Sequence, residues 1–293
     1  MSVAAGGPRF DLQSHSHHSD GELTPSEVVA GAADAGVRLL ALTDHDTVGG
    51  VQEAIEAGPA SGVTIVPAVE ISALHAAEED LHILGYRVDH RGRSLLDALE
   101  RFREDRRARA DRMREALEQQ GFELDPRVLA ERRRSGGAVG RPHLARAVWE
   151  EPGNADRLAA EGLERPEQVL EAYLLPGRPA YRPRTMPRVA EAIELIHAAG
   201  GVAVWAHPFW EIDDPEQVSA TLRDFKALGV DGVEAFYPTH DADQTALVDE
   251  AAASLGLLTT GSSDFHGPGH TIFSRFRAFS LHGREPRLGP IGN

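Results

Sequence analysis

Leu39-Leu40-Ala41-Leu42-Thr43-Asp44-His45-Asp46 sets the pattern of this chain: four apolar residues run directly into a cluster of imidazole and carboxylate groups. The arrangement recurs. Val63-Thr64-Ile65-Val66 leads to Glu70, Val202-Ala203-Val204-Trp205 to His207, and Leu257-Leu258-Thr259-Thr260 to Asp264 and His266. Upstream, Leu12-Gln13-Ser14-His15-Ser16-His17-His18-Ser19-Asp20-Gly21 carries a further cluster. Short apolar runs alternating with Ala-, Glu- and Leu-rich stretches imply parallel βα units. In a parallel α/β barrel the carboxyl ends of the strands meet at one mouth, so groups remote in sequence become neighbours there. The pattern reads as a metal site on a barrel.

Working outward, Thr24-Pro25-Ser26-Glu27 supplies an N-cap, Pro at the first helical position and Glu at the third, with Gly36 as the stop. Similar signals predict helices near Val51 to Ala57, Pro187 to Ala199, Pro215 to Leu228 and Asp243 to Leu255, each followed by Gly and an apolar strand. Strands are expected near 38–43, 63–70, 80–87, 201–206, 231–236 and 257–261. The stretch 93–184 breaks this rhythm. Leu95, Leu99, Phe102, Met113 and Leu117 keep helical spacing while seven Arg crowd the interval from Arg101 to Arg114, interleaved with Glu100, Glu104, Asp105, Asp111 and Glu115. That alternation predicts i,i+4 ion pairs on a solvated helix rather than a nucleic-acid groove. The expected organisation is a barrel from 1–92 and 185–293 with a helical insertion at 93–184 that contributes to the substrate site, and a mobile turn at Ser135-Gly136-Gly137.

Composition narrows the class. The 293 residues can bury a full core, and 46 acidic against 30 basic residues give a net charge of −16. Such a surface disfavours long duplex nucleic acid and anionic lipid as partners. There is no Cys, which removes thiolate ligands and thiol nucleophiles and leaves His and carboxylate as the strong metal-binding side chains. With no long apolar run or leader-like start, the expected location is cytoplasmic.

His and carboxylate ligands suit Mn, Fe or Zn, and a shared carboxylate can hold two ions about 3.5–4 Å apart. Such centres activate water and offset charge on phosphoryl oxygens, so phosphate-ester hydrolysis needs no protein nucleophile. If Asp20, Glu70 and Asp264 are ligands, they contribute about −3 against roughly +4 to +6 from two or three divalent ions. The mouth would be cationic in an acidic protein and would draw a phosphate.

The segments Asp11 to Gly21, Thr43 to Thr47, Pro67 to Ser72, Leu81 to Tyr86, Ala206-His207-Pro208 and Gly261 to Gly267 resemble, in order and spacing, the motifs of the PHP (polymerase and histidinol phosphatase) family. The resemblance covers nearly the whole chain. It is greatest to the stand-alone bacterial phosphoesterase branch, which includes a nucleoside 3′,5′-bisphosphate phosphatase that is also a 5′-to-3′ exoribonuclease on short RNA. It implies a distorted seven-stranded (β/α) barrel with two or three divalent ions: the first on His15, Glu70 and Asp264, the second on Asp20, His45 and His266, the third on Glu70, His82 and His207. Glu70 would bridge. Gly140-Arg141-Pro142-His143 also looks like that branch, and implies that Arg141 and His143 contact a substrate phosphate. Gln13 departs from the pattern, standing where the family's first His belongs, and an amide oxygen is a poorer transition-metal ligand than imidazole.

Individually Asp20, His45, Glu70, His82, His207, Asp264 and His266 could be turn formers or strand-end hydrogen bonders, but seven such coincidences argue for a site. His17 and His18 read as turn residues or partners of ligands, Asp44 and Asp46 as supports for His45, and His75, His90, His197, His240, His270 and His282 as ordinary surface or helix positions. Arg141 and His143 could simply cap the helix that Pro142 begins, but the family match favours the phosphate contact. The expected function is metal-dependent hydrolysis of a terminal phosphate from a small nucleotide: a nucleoside 3′,5′-bisphosphate, a nucleoside monophosphate or a short oligoribonucleotide. The alternatives are a phosphatase for histidinol phosphate or another small metabolite, and a metal-binding module without catalysis.

Overall fold

The computed structural model describes residues 7–75, 78–134 and 139–293, so the expected turn at Ser135-Gly136-Gly137 lies outside the described residues. Seven strands form one sheet in sequential order: β1 (Phe10–Asp11), β2 (Leu39–Leu42), β3 (Thr64–His75), β4 (Glu78–Tyr86), β5 (Val202–Trp205), β6 (Gly232–Phe236) and β7 (Leu258–Gly261). Its two edges meet. The Leu12 amide donates to the Gly261 carbonyl at 3.3 Å, and Ser14 bridges Phe265 in parallel, so the sheet curls into a nearly closed barrel. Closure removes the free edges that an open sheet exposes.

Not every unit is parallel. β1, β2 and β3 pair in parallel, as do β5, β6 and β7, but β4 runs antiparallel to both β3 and β5. The reason is connection length: β3 ends at His75 and β4 starts at Glu78, whereas a parallel crossover needs about a dozen residues. The all-parallel expectation is corrected at this strand. β1 has two residues, too few to show periodicity, and was absent from the strands expected.

Helices cover the outside of the barrel: α1 (Pro25–Asp34), α2 (Val51–Ser61), then α3 (Arg93–Gln119), which leads out of it. Thr24 closes the predicted capping box on α1, accepting from the Glu27 amide while Glu27 accepts from the Thr24 amide. Val28, Val29 and Ala32 of α1 then pack with Leu40 and Leu42 of β2 and Ala54 of α2. After α4 (Pro126–Arg134), α5 (Arg141–Glu150), α6 (Ala155–Ala160) and α7 (Pro166–Val169), the barrel resumes with α8 (Val189–Ala198), α9 (Pro208–Glu211), α10 (Pro215–Ala227) and α11 (Ala242–Ser254). Among the described residues no helix is long and apolar enough to cross a membrane.

The chain divides into two compact units, Met1–Glu100 with Pro187–Asn293, and Arg101–Met186. The second unit has its own core, in which Met113 and Leu117 of α3 pack with Leu144 and Val148 of α5, Phe122 and Leu174. Its charges pair as the spacing predicts, Arg114 with Glu118 and Arg146 with Glu150, each at 2.6 Å and i,i+4. Arg109 is the correction to a wholly solvated Arg face: it is 7% exposed, and its Nε donates to the Arg182 carbonyl.

Candidate metal centre

Glu70 organises the site. It sits on β3 opposite Leu84, and Ser72 two residues on sits opposite His82, so the period-two pleat puts Glu70 and His82 on one face as diagonal neighbours. Their side chains meet, His82 Nδ1 lying 2.7 Å from Glu70 Oε1. His207 follows β5, with Nε2 3.2 Å from the same oxygen and 3.3 Å from His82 Nδ1. The other oxygen, Oε2, is 3.1 Å from His15 Nε2 and 3.5 Å from His45 Nδ1. One fully buried carboxylate is thus ringed by four imidazoles.

Asp264, after β7, completes the inner group: its Oδ1 is 3.1 Å from His15 Nε2. Toward solvent, Asp20 lies 3.5 Å from both His45 Nε2 and His266 Nε2, and 3.6 Å from His15 Nδ1. Among the described residues three ligand groups result, namely His15 with Glu70 and Asp264, His45 with Glu70 and His82, and His15 with Asp20, His45 and His266. His207 adds to the second through its contacts with Glu70 and His82. All eight His and carboxylate residues singled out in the sequence therefore converge. Gln13 is among them but turned to a different use: its Nε2 donates to Glu70 Oε2 at 3.0 Å, and its Oε1 accepts from Ser262 Oγ at 3.4 Å.

The loops are built to present these groups. Asp44 accepts from the Ser16 amide, the Ser16 hydroxyl and the Ser19 hydroxyl, each at 2.7 Å, and so ties down the His15-to-Asp20 loop. Gly21 closes that loop where a Cβ would overlap the His15 carbonyl. His207 and Asp264 adopt positive φ, 28° and 51°, which costs a non-glycine residue energy and is held by its surroundings. Asp46, at φ 52°, accepts from the Ser72 amide. His17 and His18 stack on each other, centroids 4.6 Å apart.

Burial of ionisable groups is costly unless they find partners. Burial acts to raise the Glu70 carboxyl, but the His45 and His82 charges outweigh it and hold the group well below its ordinary range. The same contest keeps Asp264 low, chiefly through His266 and His15, and Asp20 low, chiefly through His45 and His15. His15 goes the other way from His45: burial would lower it, yet the Asp264 and Glu70 carboxylates beside it raise it well above the ordinary imidazole value. Burial pushes His45 down to about 4.

A cation fits this cage. His15 Nε2, His45 Nδ1 and Asp264 Oδ1 are fully buried, lie 3.1–3.5 Å from neighbouring polar atoms and yet make no hydrogen bond, so atoms of metal-ligating types converge on a small space. A divalent ion among such atoms, displacing the imidazole proton, would satisfy them together.

Several supporting residues escaped the sequence reading. Tyr237 donates its hydroxyl to Asp264 Oδ2 at 2.7 Å. Glu234, fully buried on β6, accepts from the His207 amide and from Ser262 Oγ at 3.0 and 2.6 Å, and burial raises its carboxyl well above the ordinary value. A carboxylate inside a five-residue strand that is otherwise apolar was its available signal. His240 was expected at an ordinary surface or helix position. It is 5% exposed instead, with its ring edge-on to Phe209 and close to Tyr237. Arg141 and His143 occupy the first and third positions of α5 in the second unit, where His143 Nδ1 accepts from the Gly140 amide at 3.2 Å.

Comparison with known proteins agrees with this arrangement. Residues 11–123 match the model of the PHP domain. A 3′,5′-nucleoside bisphosphate phosphatase from Chromobacterium violaceum is 33% identical over 264 residues, covering 89% of this chain and 88% of that protein. A 5′-3′ exoribonuclease from Haemophilus influenzae is 33% identical over 263 residues, covering 89% of this chain and 90% of its own length. In structure, a protein from Bifidobacterium adolescentis inferred to be a metal-dependent phosphoesterase superimposes with a TM-score of 0.72 at 29% identity, over 91% of each chain. With a relative 33% identical over 89% of the chain and the PHP domain model matched from residue 11 to 123, the chain belongs to the PHP domain family.

Proposed function

We propose that this protein is a metal-dependent phosphoesterase that removes a terminal phosphate from a small nucleotide: a nucleoside 3′,5′-bisphosphate, a nucleoside monophosphate or the end of a short oligoribonucleotide. The observation that carries the reading is the cage of buried ligand-type atoms without hydrogen bonds on His15, His45 and Asp264 around Glu70. Its support is the extended similarity to a nucleoside bisphosphate phosphatase.

In the proposal His15, Glu70 and Asp264 hold one divalent ion, Asp20, His45 and His266 a second, and Glu70, His82 and His207 a third, with Mn, Fe or Zn all suited to the donors. Ions so held supply Lewis-acid activation of water and neutralise charge on the phosphoryl oxygens. The chain's own residues set the stage for that chemistry. Glu70 offers one oxygen to His82 and His207 and the other to His15 and His45, so it can serve more than one ion. Gln13 acts as a donor that orients Glu70, not as a ligand. Tyr237 fixes the Asp264 carboxylate so that Oδ1 faces His15. Arg141 and His143, assigned by motif resemblance, contact a substrate phosphate.

The test is phosphate release, with Mn²⁺ added, from adenosine 3′,5′-bisphosphate, adenosine 5′-monophosphate, a short 5′-phosphorylated oligoribonucleotide, histidinol phosphate and simple sugar phosphates. Turnover highest on the nucleotides and abolished by chelation is expected. Preference for histidinol phosphate would reassign the substrate, and no turnover of any ester with any divalent metal would reject the proposal.

A further inference from the structure

Beside the metal centre the barrel unit carries an arc of rings, of which the ligand scheme leaves Trp210, Phe273 and His270 unused. It starts at His207, whose ring lies 5.2 Å from Tyr237. Tyr237 contacts Trp210 at 6.3 Å and Phe273 at 5.7 Å, Trp210 meets Phe273 at 5.4 Å, and Phe273 stacks on His270 at 5.1 Å and lies 5.7 Å from His266. The arc therefore begins and ends on metal-ligand candidates.

Its members differ in exposure. Tyr237 and Phe273 are buried at 2% and 5%, whereas Trp210 leaves 43% of its surface to solvent. A large aromatic side chain is costly to leave in water, and its partners brace it at steep interplanar angles of 56° and 72°. The backbone fixes it too: Trp210 stands three residues after His207 on α9, and its amide donates to the His207 carbonyl at 2.8 Å. The indole is held in place before any ligand arrives, and that lowers the ordering cost of binding.

Trp210, Phe273 and Tyr237 carry no positive charge, so this wall does not suit a phosphate. The wall and the cage present two chemistries side by side, an aromatic surface and a set of cation-binding groups, and a nucleotide has the same two halves. We propose that Trp210, braced by Phe273 and Tyr237, is the stacking platform for the base of the nucleotide whose phosphate is held at the metal centre; this rests on the reading in the preceding subsection. Every base has a π face, so the platform selects for a base without selecting its identity.

Titration calorimetry of the manganese-loaded protein with adenosine 5′-monophosphate and with ribose 5-phosphate isolates the base, because the two ligands share sugar and phosphate. The wild-type protein is expected to bind the nucleotide roughly tenfold or more tightly than the sugar phosphate. Trp210→Ala should bring that ratio close to one, while Trp210→Phe should keep most of it. Tryptophan emission gives a readout that needs no alanine variant: adenosine 5′-monophosphate should quench it in the wild-type protein and ribose 5-phosphate should not, with the difference lost in Trp210→Phe. A ratio near one in the wild-type protein, or one that survives Trp210→Ala, overturns the platform. Failure to hydrolyse adenosine bisphosphate with the binding preference and its loss in Trp210→Ala intact would sink the phosphatase reading and leave the platform standing.

Discussion

The ligand pit of the barrel and the helical unit from Arg101 to Met186 handle charge in opposite ways. In the helical unit, Arg114 and Arg146 pair with Glu one turn away on partly exposed surfaces, and the interior is built from Leu, Val, Met and Phe. In the pit, Glu70 and His15 are completely buried, and several of their neighbours' polar atoms have no hydrogen-bond partner. A protein gains little stability from such an interior, since desolvation opposes every charge in it. The difference teaches that burial serves two ends in one chain: the pit's buried groups are arranged for a cation, the helical unit's interior for a core.

Substitutions on the two sides should therefore separate function from stability. The largest effect is expected at Glu70, where Glu70→Gln removes the carboxylate common to four imidazoles; phosphate release should fall by about a thousandfold or more, the equivalent of about 4 kcal/mol, and the Tm increase on adding Mn²⁺ should shrink sharply. Kinetics and a thermal melt with and without metal would check it. A variant that keeps its metal-induced Tm increase would break the contrast. On the other side, Leu117→Ala opens a cavity in the helical unit's core and should destabilise it by about 2–5 kcal/mol while leaving the metal content of the folded protein unchanged, measurable by denaturant unfolding and elemental analysis.

A finer cut comes from Tyr237→Phe, which deletes one hydrogen bond to Asp264 without opening space. Metal affinity or activity should drop by about ten- to a hundredfold, the usual reach of a partner behind a ligand, with Tm of the metal-free protein little altered.

The pH dependence sharpens the comparison further. His15 has its folded pKa raised, so its contribution to the metal-free protein is full below the ordinary imidazole value and is lost as pH rises through the folded one. Metal competes with that same proton, so the Tm increase on adding Mn²⁺ should be larger at pH 8 than at pH 6, by about a few degrees. His45, pushed down to about 4, is neutral at both and adds nothing to this slope. Smallest of all, Thr24→Ala removes the cap of α1 on the barrel's exterior, at a cost of about 1 kcal/mol and no change in metal binding. That result would place the contrast between pit and framework, not between barrel and insertion.

Much of this was legible because strands and ligands obey short-range rules. β2, β5 and β7 show as apolar runs, and the ligand after each sits where a parallel strand must end. The α1 boundaries follow from Thr24, Pro25 and Gly36, whose effects are local. What could not be read was set by pairing between distant segments. Nothing in Leu81-His82-Ile83 shows that β4 runs antiparallel; the two residues separating it from β3 do, once both boundaries are known. Tyr237, Glu234 and His240 look like an unremarkable strand and its exit until Asp264, Ser262 and Phe209 are brought against them. Gln13 was visible as a departure, but its donation to Glu70 needed the fold.

Anomalous diffraction from crystals grown with Mn²⁺ addresses the central claim most directly. The account predicts manganese peaks inside the pit, at least one of them bonded to Glu70 together with His15 and Asp264 or with His82 and His207. Manganese bound only elsewhere on the molecule, with Glu70 touching no ion, would contradict it.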